Sequence, residues 1–217
     1  DKISYTIGVA TGINLKRQSI DVDPDIMARG LKDSLSGGKL LMSDQELQGL
    51  MTTLRKEMAV KQMVTMAEQN KKDGDAFLAE NGKKEGVTTL ASGLQYRVLR
   101  EGKGRSPKPT DTVVVHYRGT LLNGTEFDSS YKRNEPASVD LDSVIKGWKE
   151  ALPLMNEGAK WQLFIPPDLA YGENGNRSVE PNSTLLFEVE LISVRKEAAL
   201  PAPAKPGVKS SKPAARK

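Results

Sequence analysis

Before Gly86 the apolar residues recur at three- and four-residue spacing; after it they alternate or run in short β-branched blocks. From Asp1 to Gln18, Ile3, Ile7, Ala10 and then Ile13 or Leu15 fall near one helical face, with Gly8 and Gly12 weakening the pattern. Asp23-Pro24 is a helix start, with a capping carboxylate before a Pro at the first helical position. Gly37-Gly38 is the matching stop, because Gly enters the left-handed C-cap conformation without a Cβ clash. Ser43-Asp44-Gln45-Glu46 fits a capping box, in which hydroxyl and carboxylate each satisfy an orphan N–H. The run that follows contains no Pro, so a helix of about thirty residues up to Gly74 is allowed. Its early part carries a stripe of Leu47, Leu50, Met51, Leu54 and Met58, predicted to pack on the two preceding helices. Beyond Met66 the stripe fades into Glu68, Gln69, Asn70, Lys71, Lys72 and Asp73, the pattern of a solvated strut between domains.

The second half reads as strands. Val113 to Leu121 is β-branched and aromatic, and Asn123-Gly124 after it is a two-residue hairpin turn. Thr125-Glu126-Phe127-Asp128-Ser129-Ser130 then sets an aromatic ring beside a carboxylate. Val144, Trp148 and Leu152 keep helical spacing over a short stretch that could lie across a sheet. Ile165-Pro166-Pro167 leaves a strand through a Pro turn and leads to Tyr171. Ser183 to Leu191 alternates apolar with charged residues, as a half-buried antiparallel strand does. Together these predict an α+β chain.

Composition narrows the chemistry. With 37% hydrophobic residues in 217 there is material for a core, which argues against global disorder. No stretch approaches the roughly 18 apolar residues that span a bilayer. The absence of Cys removes disulfide scaffolds, thiol nucleophiles and thiolate zinc sites, and a single histidine, His116, leaves little room for a His-based triad or metal cage. No metal or cofactor is expected. The net charge of +4 resides in the last 22 residues, with 6 Lys+Arg against 1 Glu; residues 1–86 balance at 13 against 13, and 87–195 carry 13 against 14. Neither folded half is basic, so nucleic acid is not an expected partner. Six of the seven Met lie in the helical half, and three helices of this size make a thin core. Those Met could fill a monomer core or an adaptable self-association surface, and the sequence leaves both open.

Five ordered segments carry a specific resemblance. They are His116-Tyr117-Arg118-Gly119, Gly124 to Ser130, Val144-Ile145-Lys146-Gly147-Trp148, Leu169-Ala170-Tyr171-Gly172, and Pro181 to Phe187. In this order they resemble the FKBP-type peptidyl-prolyl cis–trans isomerases. The first half is similar to the helical dimerisation region of the macrophage infectivity potentiator subfamily, notably at Asp1-Lys2-Ile3-Ser4-Tyr5 and Gly30-Leu31-Lys32-Asp33, with Ser92-Gly93-Leu94-Gln95-Tyr96 adding to the match.

The resemblance implies a helical dimerisation region at 1–42, a long connecting helix and linker at 43–86, and an isomerase domain at 87–196, an antiparallel sheet wrapped around a short helix. A basic, disordered Pro/Ala/Lys tail would occupy 197–217. Trp148 would be the apolar floor under a proline ring, walled by Tyr117, Phe127, Val144, Ile145 and Phe187, with Val179 the one residue of the short, polar 173–179 loop to contact a ligand. Asp128 would stand near the twisting amide, Arg133 would match the family's basic partner for Tyr or Asp, and Tyr171 and the Ile145 N–H would donate to substrate carbonyls. Ala137 stands where small members of the family carry an aromatic wall, which implies a more open pocket there. The implied partners are proline-containing unfolded polypeptides, a second copy of the chain through the N-terminal helices, and macrolides such as rapamycin. The implied compartment is the periplasm or outer membrane of a Gram-negative bacterium. Taken singly, each residue has a plainer reading. Trp148 and Phe187 suit a core, Asp128 a turn, Tyr171 a loop edge and His116 a structural contact. A non-catalytic, peptide-binding chaperone is the rival reading.

Overall fold

The computed structural model describes residues 1–195; the expected tail at 197–217 lies outside the described residues. The chain divides into two compact units, 1–66 and from Ala67 onward.

The first unit holds helices α1 (Lys2–Arg17) and α2 (Pro24–Ser36) and the start of α3 (Asp44–Asn81). Their ends follow the expected capping chemistry. The Asp1 and Asp23 carboxylates accept from the N–H groups of the first turns, and Gly37 closes α2 at φ 67°. Ser43 and Glu46 form the reciprocal capping box, with Glu46 N–H donating to Ser43 Oγ at 3.3 Å and Ser43 N–H to Glu46 Oε2 at 2.8 Å.

No residue of this unit is fully buried, which departs from the predicted packing of the stripe. Leu47, Leu54 and Met58 are half-buried, while Leu50 and Met51 stay exposed along with Ile3, Tyr5, Ile7, Leu31 and Leu35. Three of the five stripe residues are thus partly covered and two are not, because periodicity cannot tell whether a neighbour from the same chain covers the face.

α3 runs 38 residues, through Gly74 rather than stopping there. Its last turns belong to the second unit, where polar side chains fasten them. Asn70 Nδ2 donates to Pro181 O at 2.9 Å, Asn81 Nδ2 to Gln95 Oε1 at 3.0 Å, and Gln95 Nε2 to Leu78 O at 2.8 Å. Phe77 adds a ring contact with Phe164 at 5.8 Å. The contact is mainly polar, so an apolar stripe could not reveal it.

The sheet contains β1 (Val87–Thr89), β2 (Gln95–Arg100), β3 (Thr112–Leu121), β4 (Glu126–Ser129), β5 (Ala137–Asp140), β6 (Lys160–Ile165) and β7 (Leu185–Arg195). The strands are antiparallel in the order β1-β2-β6-β7-β3-β4, with β5 also pairing β3. β3 and β7 are central. Along β7, Leu185, Phe187, Val189 and Leu191 face the core and alternate with Leu186, Glu188 and Glu190, the predicted period of two. The core they build, with Val113, Val115, Leu163 and Ile165, receives the short helix α4 (Lys146–Ala151). The architecture is α+β: N-terminal helices and an antiparallel sheet around a short helix.

Candidate active site

Three strands and one short helix converge on a cluster of aromatic rings. α4 approaches the end of β6 closely because residue 147 is Gly: a Cβ there would lie 2.6 Å from Ile165 Cγ2. The helix therefore drops Trp148 into the core, 5% exposed, with its Nε1–H unpaired among the described residues. Tyr117 meets the Trp148 ring edge-on at 5.2 Å, and Phe187 does so at 5.3 Å. Phe127 stands edge-on to Phe187 at 5.5 Å. Edge-to-face pairs of this kind favour packing through the ring quadrupoles and hold each plane in place. Gly119 between them matters sterically, since a Cβ there would come within 2.7 Å of Phe127 and 2.8 Å of Phe187.

The polar group rests on an irregularity in the sheet. Gly119 pairs with Asp128 and Thr120 with Glu126, so Phe127 is the extra residue of a β-bulge. In a regular strand Phe127 and Asp128 would face opposite sides. The bulge turns both toward the same side: Phe127 packs on Phe187, and Asp128 reaches the Tyr117 hydroxyl.

Tyr117 Oη donates to Asp128 Oδ2 at 2.6 Å. Arg133 donates from one nitrogen to Asp128 Oδ1 at 2.6 Å and from another to Tyr117 Oη at 2.8 Å, and its guanidinium lies 5.6 Å from the Tyr117 ring centre. Burial alone would raise the Asp128 carboxyl, but the hydrogen bonds from Tyr117 and Arg133 and the guanidinium charge outweigh it and hold it below the ordinary value. Arg133 is correspondingly held in its charged form by Asp128 and Tyr117. Tyr117 is pushed up by burial and by its bond to Asp128, so it remains a donor.

The sign of the Asp128 shift fixes a pH dependence. An unfolded chain binds that proton more readily than the folded one, so the contribution to stability is present above the ordinary carboxylate range and is lost as pH falls through the lowered folded value. Titration of the Asp128 carboxyl by ¹³C NMR is expected to show a midpoint below that of an unstructured aspartate. Arg133→Gln removes two of the lowering influences and raises the midpoint. An unmoved midpoint in that variant would count against the ion pair.

Tyr171 sits at the rim, 37% exposed, after the 3₁₀ turn Pro167–Leu169. Burial and the nearby Asp128 charge raise its hydroxyl, so it too stays protonated at neutral pH. Val144 and Ile145 are half-buried against the aromatic core, and the Ile145 N–H makes no backbone hydrogen bond among the described residues. Val179 is 3% exposed and packs into the core, held by Asn176, whose Oδ1 accepts from the Ser178 and Val179 N–H groups at 2.7 and 2.9 Å. Ala137 packs at the edge of the same core, on β5 opposite Val115.

The structure thus brings Tyr117, Phe127, Asp128, Arg133, Trp148 and Phe187 into one contact network, with Val144, Ile145, Val179 and Tyr171 around it. Sequence reasoning missed the glycines at 119 and 147 as spacers and Asn176 as a turn anchor. Asn176, three residues before Val179, was readable as an Asx turn; the glycines were not, because only the packed rings reveal what a Cβ would meet.

The network contains no nucleophile paired with a base. Among the described residues no three His, Cys, Asp or Glu side chains group as a metal site. What it offers is an apolar ring floor beside a fixed ion pair and an exposed phenol, which suits reshaping a bound group without covalent chemistry.

Comparison with known proteins agrees over nearly the whole chain. Residues 103–192 match the family model described as FKBP-type peptidyl-prolyl cis-trans isomerase, and residues 1–98 match the domain amino terminal to it. The peptidyl-prolyl cis-trans isomerase Mip of Coxiella burnetii is 47% identical over 201 residues, 91% of this chain and 87% of that one. The outer membrane protein MIP of Legionella longbeachae is 44% identical over 202 residues, with the same coverage. The crystal structure of FkpA from Escherichia coli superposes with a TM-score of 0.73 at 40% identity, covering 90% of this chain and 96% of that one.

Proposed function

The chain belongs to the FKBP-type peptidyl-prolyl cis–trans isomerases, and from that premise we propose how its own residues perform the rotation. Turning an Xaa-Pro bond breaks amide resonance across a barrier of roughly 18–20 kcal/mol. At the top of the barrier the carbonyl is less polar and the nitrogen more basic than in the planar amide. A floor of Trp148 walled by Tyr117, Phe127, Val144, Ile145 and Phe187 disfavours the planar, polar form relative to the twisted one. Val179 backs the wall from the core. Each tenfold of rate asks for about 1.4 kcal/mol of such differential stabilisation. Asp128, kept ionised by Arg133 and Tyr117, supplies a fixed negative charge beside the twisting amide. Tyr171 and the Ile145 N–H donate to the carbonyls on either side and hold the chain while the bond turns.

The observation that carries these assignments is the closed Tyr117–Asp128–Arg133 triangle at 2.6 to 2.8 Å, whose Tyr117 ring packs edge-on against Trp148. It supports a charge placed in advance rather than a proton donor. The test is cis–trans exchange in a short Leu-Pro peptide followed by NMR, with and without rapamycin. Acceleration that rapamycin abolishes supports the Trp148 pocket as the seat of catalysis; acceleration that rapamycin leaves untouched overturns that placement. Tyr171→Ala is expected to lower the exchange rate about three- to tenfold, the worth of one hydrogen bond to a neutral donor, with unchanged circular dichroism.

We further propose that residues 1–42 form a homodimerisation region, that 43–86 connects it to the isomerase domain at 87–196, and that the dimer acts as a folding chaperone. The absence of any fully buried residue in 1–66, with Ile3, Tyr5, Leu31 and Leu35 exposed, supports a second copy as the cover. Two isomerase arms would hold one unfolded client at two points and raise its effective concentration. A monomer by light scattering at micromolar concentration would refute this. Periplasmic or outer-membrane placement is the compartment we propose, supported by a relative named as an outer membrane protein. Among the described residues no helix is long and apolar enough to cross a membrane.

A further inference from the structure

β3 presents successive residues to opposite faces, so Tyr117 enters the aromatic site while His116 points the other way. The segment carrying Asp128 and Arg133 is gripped from both sides of this strand. Backbone pairing between β3 and β4 ends at Arg118 opposite Ser129. Past that point a single backbone bond, Ser130 N–H to Tyr117 O, continues the pairing, yet Arg133 must still return to the Tyr117 hydroxyl.

Two side chains take over where the ladder stops. Ser130 is fully buried, and its Oγ accepts the Tyr117 N–H at 2.8 Å and lies 3.2 Å from Tyr117 O. The Ser130 N–H donates to Tyr117 O at 3.0 Å, so this one residue brackets the Tyr117 backbone. The same Oγ is 2.9 Å from His116 Nδ1. The next residue, Tyr131, stacks on the His116 ring at 4.6 Å and 13°. Two consecutive residues of the segment are therefore docked on His116, with Asp128 just before them and Arg133 just after.

We infer that Ser130 and His116 are positioning residues for the reaction, fixing residues 128–133 on β3 so that Asp128 and Arg133 meet at the Tyr117 hydroxyl. Neither side chain lines the aromatic site. Ser130 lies beneath it, and His116 is on the far face of the strand. A buried hydroxyl gripping the backbone of Tyr117 fixes the separation on which bonds of 2.6 to 2.8 Å depend. The inference rests on the reading of Asp128 given above, but it can be tested without it.

The test uses the full chain and reads the Asp128 carboxyl by ¹³C NMR without substrate, alongside Leu-Pro peptide exchange. Ser130→Ala is expected to move the Asp128 midpoint upward, toward an unstructured aspartate, as Tyr117 and Arg133 lose register. It is also expected to lower kcat about tenfold with KM little changed, because the Trp148 floor is left in place. His116→Phe keeps a ring against Tyr131 but removes Nδ1; it should shift the midpoint in the same direction by less. Val113→Ala, a core truncation at the other end of β3, serves as the control, lowering thermal stability without moving the midpoint. An unmoved midpoint in folded Ser130→Ala, or an equal shift in Val113→Ala, overturns the positioning role. A moved midpoint with unchanged kcat would overturn instead the participation of Asp128 in the step.

Discussion

Asp128→Leu should lower kcat/KM for a Leu-Pro peptide by roughly ten- to a hundredfold, the worth of charge-assisted hydrogen bonds at a site of reaction. Among the described residues the change removes the one carboxylate of the aromatic network, and no other member of it can replace that charge. Folding should barely register it. The Asp128 side chain is 42% exposed and that of Arg133 50% exposed, so water can solvate the freed guanidinium. The Arg133 bond to Tyr117 Oη at 2.8 Å also survives the substitution. Circular dichroism should match the parent and the thermal midpoint should fall only slightly, by the small contribution of a half-exposed ion pair, while peptide exchange slows. Full activity in a folded Asp128→Leu protein would remove the fixed charge from the mechanism.

Trp148→Ala should fail in the opposite manner, through the fold. The ring is almost wholly buried and meets Tyr117 and Phe187 edge-on at 5.2 and 5.3 Å, so its loss leaves a cavity beneath two other site aromatics. Truncations of this size cost about 3–5 kcal/mol. For a domain of this length that corresponds to a fall in thermal midpoint of about 10–20 °C. Trp148→Phe keeps an aromatic ring and most of the volume, and the one polar group it deletes is an Nε1–H that has no partner among the described residues, so its cost should be well below that of Trp148→Ala. Scanning calorimetry on both variants separates floor from ornament. A midpoint for Trp148→Ala within a few degrees of the parent would show that the ring is not a packed floor.

The two substitutions fall where the sequence was legible for different reasons. The aromatic wall came from joint order, since His116-Tyr117-Arg118-Gly119, Gly124 to Ser130 and Val144 to Trp148 together resemble one family. Each of those rings alone would have passed for core. The exposed helices of residues 1–66 show the converse. Their spacing identified the apolar face, and their capping residues identified the ends, but nothing in one chain's periodicity says whether the cover is itself or another copy.

Local chemistry was determined by sequence alone: the Asp23-Pro24 start, the Gly37 stop, the Ser43–Glu46 capping box and the alternation of Leu185 to Leu191. These depend on residues a few positions apart, whose geometry the backbone fixes wherever they occur. At Asn123-Gly124 the expected two-residue turn is instead a three-residue loop of Leu122, Asn123 and Gly124, with the Gly124 N–H on Leu121 O and Gly124 alone of the three at positive φ. Tertiary structure alone decided the bulge at Phe127, the approach of α4 over Gly147, the docking of α3 through Asn70 and Asn81, and the grip of Ser130 and His116 on Tyr117. Each joins residues distant in sequence, or depends on a register slip that leaves no compositional trace. Asp128 and Phe127 share a face only because β4 is one residue out of step with β3, and that offset exists in the pairing of two strands, not in either one.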